Sequence, residues 1–137
     1  MYDNVLVPMA LDHGISPQML EVAQALLSPS GKITALHVYE APEGSVGAFL
    51  DDSVVNAAYE KAKSRLAEKT ADLEGLETVI IKGHSARSII DYADANAVDC
   101  IVIGSHKPDL RDYFLGSTAA RVVRHAPCAV HVMRTQN

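Results

Sequence analysis

Two glycines bracket a polar loop between an apolar run and an amphipathic segment, in a pattern that could bind phosphate. Gly104 follows the apolar run Cys100–Ile103, and Gly116 precedes Ser117 and Thr118, where a helix is predicted to begin. The N-terminus of a helix presents unpaired N–H groups and partial positive charge, which suit a phosphate ligand. Glycine lets the backbone approach a ligand closely, and the two hydroxyl groups add donors. An ordinary Ser/Thr helix cap is the alternative explanation of the same residues.

The composition limits the class of protein. The chain has 137 residues, 48% of them hydrophobic, which predicts one domain over residues 1–137 with a sizeable core. The formal net charge of −5 argues against general nucleic-acid binding but allows a small anion at a local site. Cys100 and Cys128 lie in apolar runs and are predicted to be small core residues. Because no leader-like segment and no run of membrane-spanning length is present, a cytoplasmic protein is expected.

Strand and helix patterns alternate along the chain. Apolar runs predict five strands, at residues 4–10, 32–39, 78–82, 98–103 and 128–133. Helical spacing predicts four helices between them. The first is predicted to end at Pro29-Ser30-Gly31, the second to be capped by one of the residues from Asp51 to Ser53, and the third to be capped by Ser85. This alternation predicts a single-domain α/β fold with a doubly wound, five-stranded parallel sheet in the order 3-2-1-4-5.

Ligands of such a sheet bind at its carboxyl edge, where the strand order reverses. Placing strand 1 beside strand 4 brings the loop at Pro8–His13 next to the loop from Gly104 to Ser117. The candidate phosphate loop therefore lies where the topology expects a ligand, and this agreement favours a nucleotide. The chain has no GxxxxGK[ST] motif and no GxGxxG after strand 1. These absences exclude a P-loop NTPase and argue against a dehydrogenase-type dinucleotide fold.

The chain resembles the universal stress protein family along its whole length. The matching features are Val7-Pro8-Met9 at the end of strand 1, Gly104-Ser105, Gly116-Ser117, and the closing run from Val122 to Val132. The family motif G-x2-G-x9-G-[ST] is modified here, since Lys107 replaces the second glycine and the loop is one residue shorter. This shorter loop is similar to that of the F- and G-type bacterial branch, whose members bind ATP. Ala10 stands where many relatives carry an aspartate that contacts the nucleotide.

The resemblance implies an adenine nucleotide alpha hydrolase-like fold that binds ATP, or alternatively AMP or ADP, with Mg²⁺ as a companion of the triphosphate. It implies a stress-response or regulatory role. Hydrolysis would be slow at most, because no general base is evident. The implied ligand contacts, ordered from the adenine side through the ribose to the phosphates, are Pro8, Met9, Ala10, Val38, Gly104, Ser105, His106, Lys107, Gly116, Ser117 and Thr118.

Strand 5 is predicted to form an edge of the sheet. Its segment Cys128–Met133 is apolar and contains no proline or acidic residue, which invites pairing with a second copy of the chain. The family resemblance implies the same homodimer through strand 5. Two other function classes stay open at this point, a nucleotide-free dimeric interaction module and a flavodoxin-like or receiver-like signalling protein. A receiver is disfavoured because strand 1 ends in Met9-Ala10 rather than in an acidic cluster.

The histidines give little support to a metal site. His37 and His131 fall within predicted strands, where a satisfied or surface position is expected. His13, His84 and His106 fall on loops at the carboxyl edge, but no two of them share a ligand spacing on one element. No metal ligand and no catalytic residue is therefore predicted.

Overall fold

Five strands and four helices alternate along the residues that the structure describes. The computed structural model describes residues 1–9, 17–40, 52–71, 75–105 and 115–134. Its strands are β1 (Tyr2–Pro8), β2 (Leu27–Tyr39), β3 (Leu76–Lys82), β4 (Cys100–Gly104) and β5 (Ala129–Met133). Its helices are α1 (Pro17–Leu26), α2 (Asp52–Thr70), α3 (Ser85–Ala95) and α4 (Ser117–His125). The predicted alternation is confirmed, although several predicted ends differ from those observed.

The sheet is parallel throughout, and its order β3-β2-β1-β4-β5 confirms the predicted topology. β1 is the central strand, and Val5 pairs with Ile33 of β2 on one side and with Cys100 of β4 on the other. The carboxyl ends of the strands therefore meet along one edge. The same order excludes the flavodoxin-like or receiver-like alternative, because those folds have the order 2-1-3-4-5.

The centre of the sheet is buried on both faces. Val5, Leu6 and Val7 are completely buried, and the alternation of a strand sends Leu6 to one face and the two valines to the other. The face of Leu6 is covered by α3 and α4, through Ile89, Ala93, Ala119 and Val122. The opposite face is covered by α1 and α2, through Ala23, Ala62 and Leu66. Burying one such aliphatic side chain contributes roughly 1.5–3 kcal/mol, so this two-sided core accounts for the doubly wound arrangement.

β2 begins earlier than the sequence predicts. The expected boundary at Pro29-Ser30-Gly31 is wrong, because extended chain starts at Leu27, directly after α1. Leu27 pairs with Tyr2, and regular pairing with β1 resumes only at Lys32, so the residues between them bulge out of the ladder. Proline has no N–H to donate to a ladder, which favours an irregularity at this point. A Cβ on Gly31 would stand 3.0 Å from the Tyr2 carbonyl oxygen, so the bulge requires a small residue there.

One carboxylate ties β1 to the start of β4 at the amino edge of the sheet. Asp99 accepts hydrogen bonds from the backbone N–H groups of Asp3 and Asn4, each at 2.9 Å. The Asp99 N–H donates in return to the Asn4 carbonyl at 3.1 Å. The Asn4 side-chain amide also donates to the Asn96 carbonyl at 2.8 Å. These contacts lie at the edge opposite the candidate ligand site, so we interpret them as structural.

The two cysteines face opposite sides of the sheet. Cys100 packs with Val5 and Val102, whereas Cys128 packs against the cluster that contains Leu6. Burial raises the pKa of Cys100 to about 11, and burial also raises the pKa of Cys128. Both residues are free thiols. Cys100 is a buried core residue as predicted, whereas Cys128 is only half-buried.

The turn after α3 places an alanine in the left-handed backbone region. Ala97 has a φ of 53° and follows Asn96, the C-cap of α3. The Val98 N–H donates to the Ala93 carbonyl at 3.1 Å, which completes a helix ending of the Schellman type. Glycine is the usual residue at this position, because a Cβ makes the left-handed conformation unfavourable.

Ala97→Gly is therefore expected to raise the free energy of unfolding by about 0.5–1 kcal/mol, since relief of the left-handed strain outweighs the added entropy of the unfolded chain. Urea denaturation measures the change. The control is Ala95→Gly at the exposed end of α3, which should lower the free energy of unfolding by a similar amount. A lower urea midpoint for Ala97→Gly than for the wild type would contradict this account.

Candidate functional site

The carboxyl edge of the sheet collects most of the residues that the sequence singles out. β1, β2 and β4 end there at Pro8, Tyr39 and Gly104, and α4 begins there at Ser117. The predicted site residues that the structure places at this edge are Pro8, Met9, Val38, Gly104, Ser105, Gly116, Ser117 and Thr118. The other three, Ala10, His106 and Lys107, lie outside the described residues.

Backbone hydrogen bonds connect the start of α4 with the end of β4, and the end of β4 with the end of β5. The Ser105 N–H donates to the Met133 carbonyl at 2.9 Å, and the Gly116 N–H donates to the Ser105 carbonyl at 3.0 Å. The first bond of the helix runs from the Ala120 N–H to the Gly116 carbonyl at 2.9 Å. Ser105 and Gly116 are both buried. These bonds hold the N-terminus of α4 beside the end of β4, as a phosphate site at this position requires.

Among the described residues, no side chain caps the N-terminus of α4. Gly116 is the N-cap, with φ −57° and ψ 153°, and no side-chain cap hydrogen bond forms there. Ser117 and Thr118 are the first residues of the helix itself, so the alternative explanation as an ordinary Ser/Thr cap is wrong. The N–H groups of the first turn are directed at the carboxyl edge. Arg124 and His125 occupy the last turn, where positive charge suits the other end of the helix dipole.

α3 begins at the same edge, but a carboxylate of the chain itself closes its N-terminus. Oε1 of Glu40 accepts hydrogen bonds from the N–H and the hydroxyl of Ser85, both at 2.8 Å. The prediction that Ser85 caps this helix is wrong, since the N-cap is His84 and Ser85 is the first helical residue. The sequence offers no local signal for Glu40, because this acceptor lies 45 residues away along the chain.

The contacts of Glu40 stabilise its charged form. The backbone and hydroxyl hydrogen bonds from Ser85 lower the pKa of Glu40 below its ordinary value of 4.5. The charge of His84 acts in the same direction, while partial burial opposes the shift. Glu40 therefore remains ionised well into the acidic range and supplies the anion that the N-terminus of α3 favours.

The described residues do not require a glycine at position 104. A Cβ built on Gly104 would find none of the described residues within 4 Å, and its φ lies outside the left-handed region. Gly83, at the end of β3, is different, because its φ is +155° and a Cβ there would collide with the hydroxyl of Ser88. The open space in front of Gly104 is thus consistent with the close approach of a ligand to the backbone.

The described part of the ladder between β1 and β2 ends at the predicted adenine side. The Met9 N–H donates to the Leu36 carbonyl at 2.9 Å, and Pro8 and Leu36 are the last paired residues of this ladder. Since backbone groups of alternate residues face the same neighbour, Val38 directs its N–H and C=O to the β1 side, beyond that last pair. His37 Nδ1 lies 3.0 Å from the Met9 carbonyl oxygen. This contact confirms the prediction that His37 is a satisfied strand histidine.

Among the described residues, no three His, Cys, Asp or Glu side chains lie close enough to hold a metal ion. His84 is at the N-cap of α3, whereas His13 and His106 lie outside the described residues. Within the described ranges no helix has the length and apolar character that crossing a membrane demands. The cytoplasmic location stays a prediction.

Comparison with known proteins identifies the family. The universal stress protein family model matches residues 1–134. The chain belongs to the universal stress protein family. Among its curated relatives, universal stress protein G of Escherichia coli O157:H7 is 26% identical over 145 residues, which cover 98% of this chain and all of that protein. The resemblance identified from the sequence motifs is thereby confirmed.

Solved structures of the family share the fold. UspA from Lactobacillus plantarum has a TM-score of 0.73 and 27% identity, and the match covers 97% of this chain and 98% of that chain. A family member from Arabidopsis thaliana, solved with AMP bound, has a TM-score of 0.61 and 18% identity, over 98% of this chain and 92% of that chain. The latter likeness bears on the fold alone, and both agree with the predicted α/β architecture.

The role of Glu40 as the cap of α3 leads to a pH-dependent prediction. Glu40→Ala should lower the free energy of unfolding at pH 7 by about 0.5–1 kcal/mol, at the low end of cap effects because Glu40 is exposed. Since the pKa of Glu40 is lower in the folded state, the advantage of the wild type is fully present above pH 4.5. It should disappear as the pH falls through the folded-state pKa.

Urea denaturation at neutral pH and at about pH 3 measures both effects. Glu21→Ala, at an exposed position on α1, is the matched control and should change stability little at either pH. A stability difference between the wild type and Glu40→Ala that stays the same at both pH values would contradict the capping role.

Proposed function

We propose that this universal stress protein binds an adenine nucleotide, ATP in the first place, at the carboxyl edge of its sheet, and acts in a stress response or in its regulation. The contrast between two helix N-termini carries this proposal. Glu40 caps α3 through Ser85, whereas among the described residues no side chain caps the start of α4 at Gly116. A phosphate from outside the chain is the partner that the first turn of α4 suits.

The segment that forms α4 and β5 carries no carboxylate although the whole chain is acidic. The net charge is −5, yet residues 115–134 contain Arg121, Arg124 and Arg134 and no aspartate or glutamate. A phosphate at the start of α4 therefore meets the helix dipole without a carboxylate from the same segment beside it. Glu40 follows β2, which is separated from β4 by β1.

We assign the phosphates to Gly116, Ser117 and Thr118, and the neighbouring ribose and phosphate to the open side of Gly104. Ser105 is assigned the task of holding α4 in place, through its two backbone hydrogen bonds. The proposed contact set also includes Pro8, Met9, Ala10, Val38, His106 and Lys107, as the family resemblance implies. Mg²⁺ would accompany the triphosphate, and we assign no protein ligand to it.

The base is assigned to the gap where β1 and β2 separate. Adenine offers an exocyclic amino donor beside a ring-nitrogen acceptor, and Val38 directs a C=O and an N–H into this gap. The Arabidopsis thaliana relative of the same fold was solved with AMP bound, and we propose that this chain likewise takes an adenine nucleotide. We assign no general base among the described residues, so the proposal concerns binding rather than rapid turnover.

Calorimetric titration of Mg²⁺-ATP into the purified protein should give a saturable signal. Gly104→Val should lower the affinity at least tenfold, because its side chain would fill the space in front of the backbone, where a Cβ meets none of the described residues within 4 Å. Gly116→Val should weaken binding as well, because a β-branched side chain obstructs approach to the first turn of α4. The control is Thr78→Val on β3, at the far side of the sheet, which should bind like the wild type.

The outcomes separate the remaining alternatives. Titrations with ADP and AMP show whether the triphosphate contributes to the affinity. Wild-type affinity in both glycine variants would mean that the ligand lies elsewhere. A wild type that gives no signal with any adenine nucleotide would favour the nucleotide-free dimeric module.

We further propose that the protein forms a homodimer through β5, which is an edge strand of the sheet. The Met133 carbonyl faces β4, because it accepts a hydrogen bond from the Ser105 N–H. By alternation, Val130 and Val132 direct their backbone N–H and C=O groups outwards. A short apolar row of this kind pairs readily with a second copy, and antiparallel pairing about a two-fold axis closes the assembly.

The opposite edge of the sheet suits such pairing less well. β3 contains Glu77 and Lys82, and Glu77 lies 3.7 Å from the ammonium of Lys32 on the neighbouring strand. Charged residues on an edge strand disfavour the addition of another strand. The contrast between the two edges supports β5 as the site of dimerisation.

Val130→Pro should shift the dimer towards a monomer, because it removes an outward-facing backbone N–H. The ladder between β4 and β5 should persist, because its hydrogen bonds come from the alternate residues of β5. Light scattering measures the mass, and circular dichroism shows whether the variant remains folded. Val130→Thr keeps the N–H and the β-branched shape and serves as the control. A wild type that is monomeric at high micromolar concentration would contradict the proposal.

A further inference from the structure

We propose that His37 is a positioning residue of the nucleotide site, which keeps the backbone of Val38 open to the base by holding the carbonyl of Met9. This inference rests on the proposed binding of an adenine nucleotide and concerns the base-binding part of that site. His37 itself is not assigned a contact with the ligand. The end of the ladder between β1 and β2 determines which backbone groups of Met9 and Val38 can bond to each other.

The last backbone bond of this ladder is fixed by the structure. The Met9 N–H donates to the Leu36 carbonyl at 2.9 Å, and no described residue of β1 pairs with Val38. In a regular parallel ladder the next bond would run from the Val38 N–H to the Met9 carbonyl. That bond would consume the donor that we assign to the base.

The Met9 carbonyl has a different partner here. Nδ1 of His37 lies 3.0 Å from this oxygen. Because a carbonyl oxygen can only accept, Nδ1 must carry the proton and donate. His37 is half-buried on β2, on the face opposite to Val38. The imidazole therefore draws the carbonyl of Met9 away from the ladder and towards the other face of the sheet.

Three consecutive residues of β2 therefore have different hydrogen-bonding roles. Leu36 accepts from the N–H of Met9, and His37 donates to its C=O. The N–H and C=O of Val38 point past the last described pair of the ladder. Without the imidazole, the Met9 carbonyl is free to accept from Val38 and to extend the ladder by one bond. The base would then meet an edge that is already paired.

His37→Leu removes the donor, whereas His37→Asn retains an amide N–H at a similar distance from the backbone. Each variant is titrated with Mg²⁺-ATP and with inorganic tripolyphosphate, which has phosphates but no base. We expect His37→Leu to lose about tenfold in ATP affinity, the size of one net hydrogen bond, and to keep wild-type affinity for tripolyphosphate. His37→Asn should recover most of the ATP affinity.

Other outcomes would overturn the inference. Unchanged ATP affinity in His37→Leu shows that the imidazole does not act on the base, and an equal loss for both ligands shows a merely structural role. If His37→Leu fails to fold, His37→Gln replaces it, because its amide reaches past the position of Nδ1 and should also lose ATP affinity. A wild type that binds no ATP overturns the proposed function and this inference together, whereas a binding wild type isolates the test of His37.

Discussion

The burial of β1 on both faces is the constraint on which the rest of the structure depends. Val5, Leu6 and Val7 have no exposed surface, so helices must cover both sides of the sheet, and strands must flank β1 in parallel. This arrangement gathers the carboxyl ends of β1, β2 and β4 at one edge. The backbone groups that project past the last hydrogen bonds are then available to a ligand. The functional edge is thus a consequence of how the centre is packed.

Much of this could be predicted because the relevant signals are local. The run from Cys100 to Ile103 indicates a buried strand by composition alone, and the glycines that follow mark the loop and the helix start. The cap of α3 could not be predicted, because the hydroxyl of Ser85 resembles a local cap while the true acceptor, Glu40, approaches from another strand. The start of β2 at Leu27 was missed for a related reason. Proline and glycine at 29–31 resemble a helix stop, yet they also suit a bulge in a strand.

The two helix N-termini at this edge show how net charge and local charge can disagree. Both α3 and α4 present unpaired N–H groups, and both lie in a chain with an excess of acidic residues. Glu40 neutralises one of them from within, and its lowered pKa reflects that stabilisation. At this edge the N-terminus of α3 is therefore already bonded to a carboxylate, whereas the N-cap of α4 is a glycine. In the proposed function, one side chain, Glu40, rather than the net charge of the protein, directs the phosphate to α4.

The proposed ligand site and the proposed interface share one feature, backbone N–H and C=O groups that need a partner. Buried or strand-edge N–H and C=O groups that remain unpaired cost free energy, and a stable fold keeps few of them. Within the part of the chain that the structure describes, groups without a partner there lie at the first turn of α4, at Val38 beyond the last pair of the β1 ladder, and along the outer side of β5. In the first two places the neighbouring side chains do not close the gap, since Gly116 offers no cap and His37 takes the carbonyl of Met9. The same physical requirement, a partner for a free backbone group, therefore underlies all three proposals: a phosphate at α4, a base at β2 and a second copy at β5.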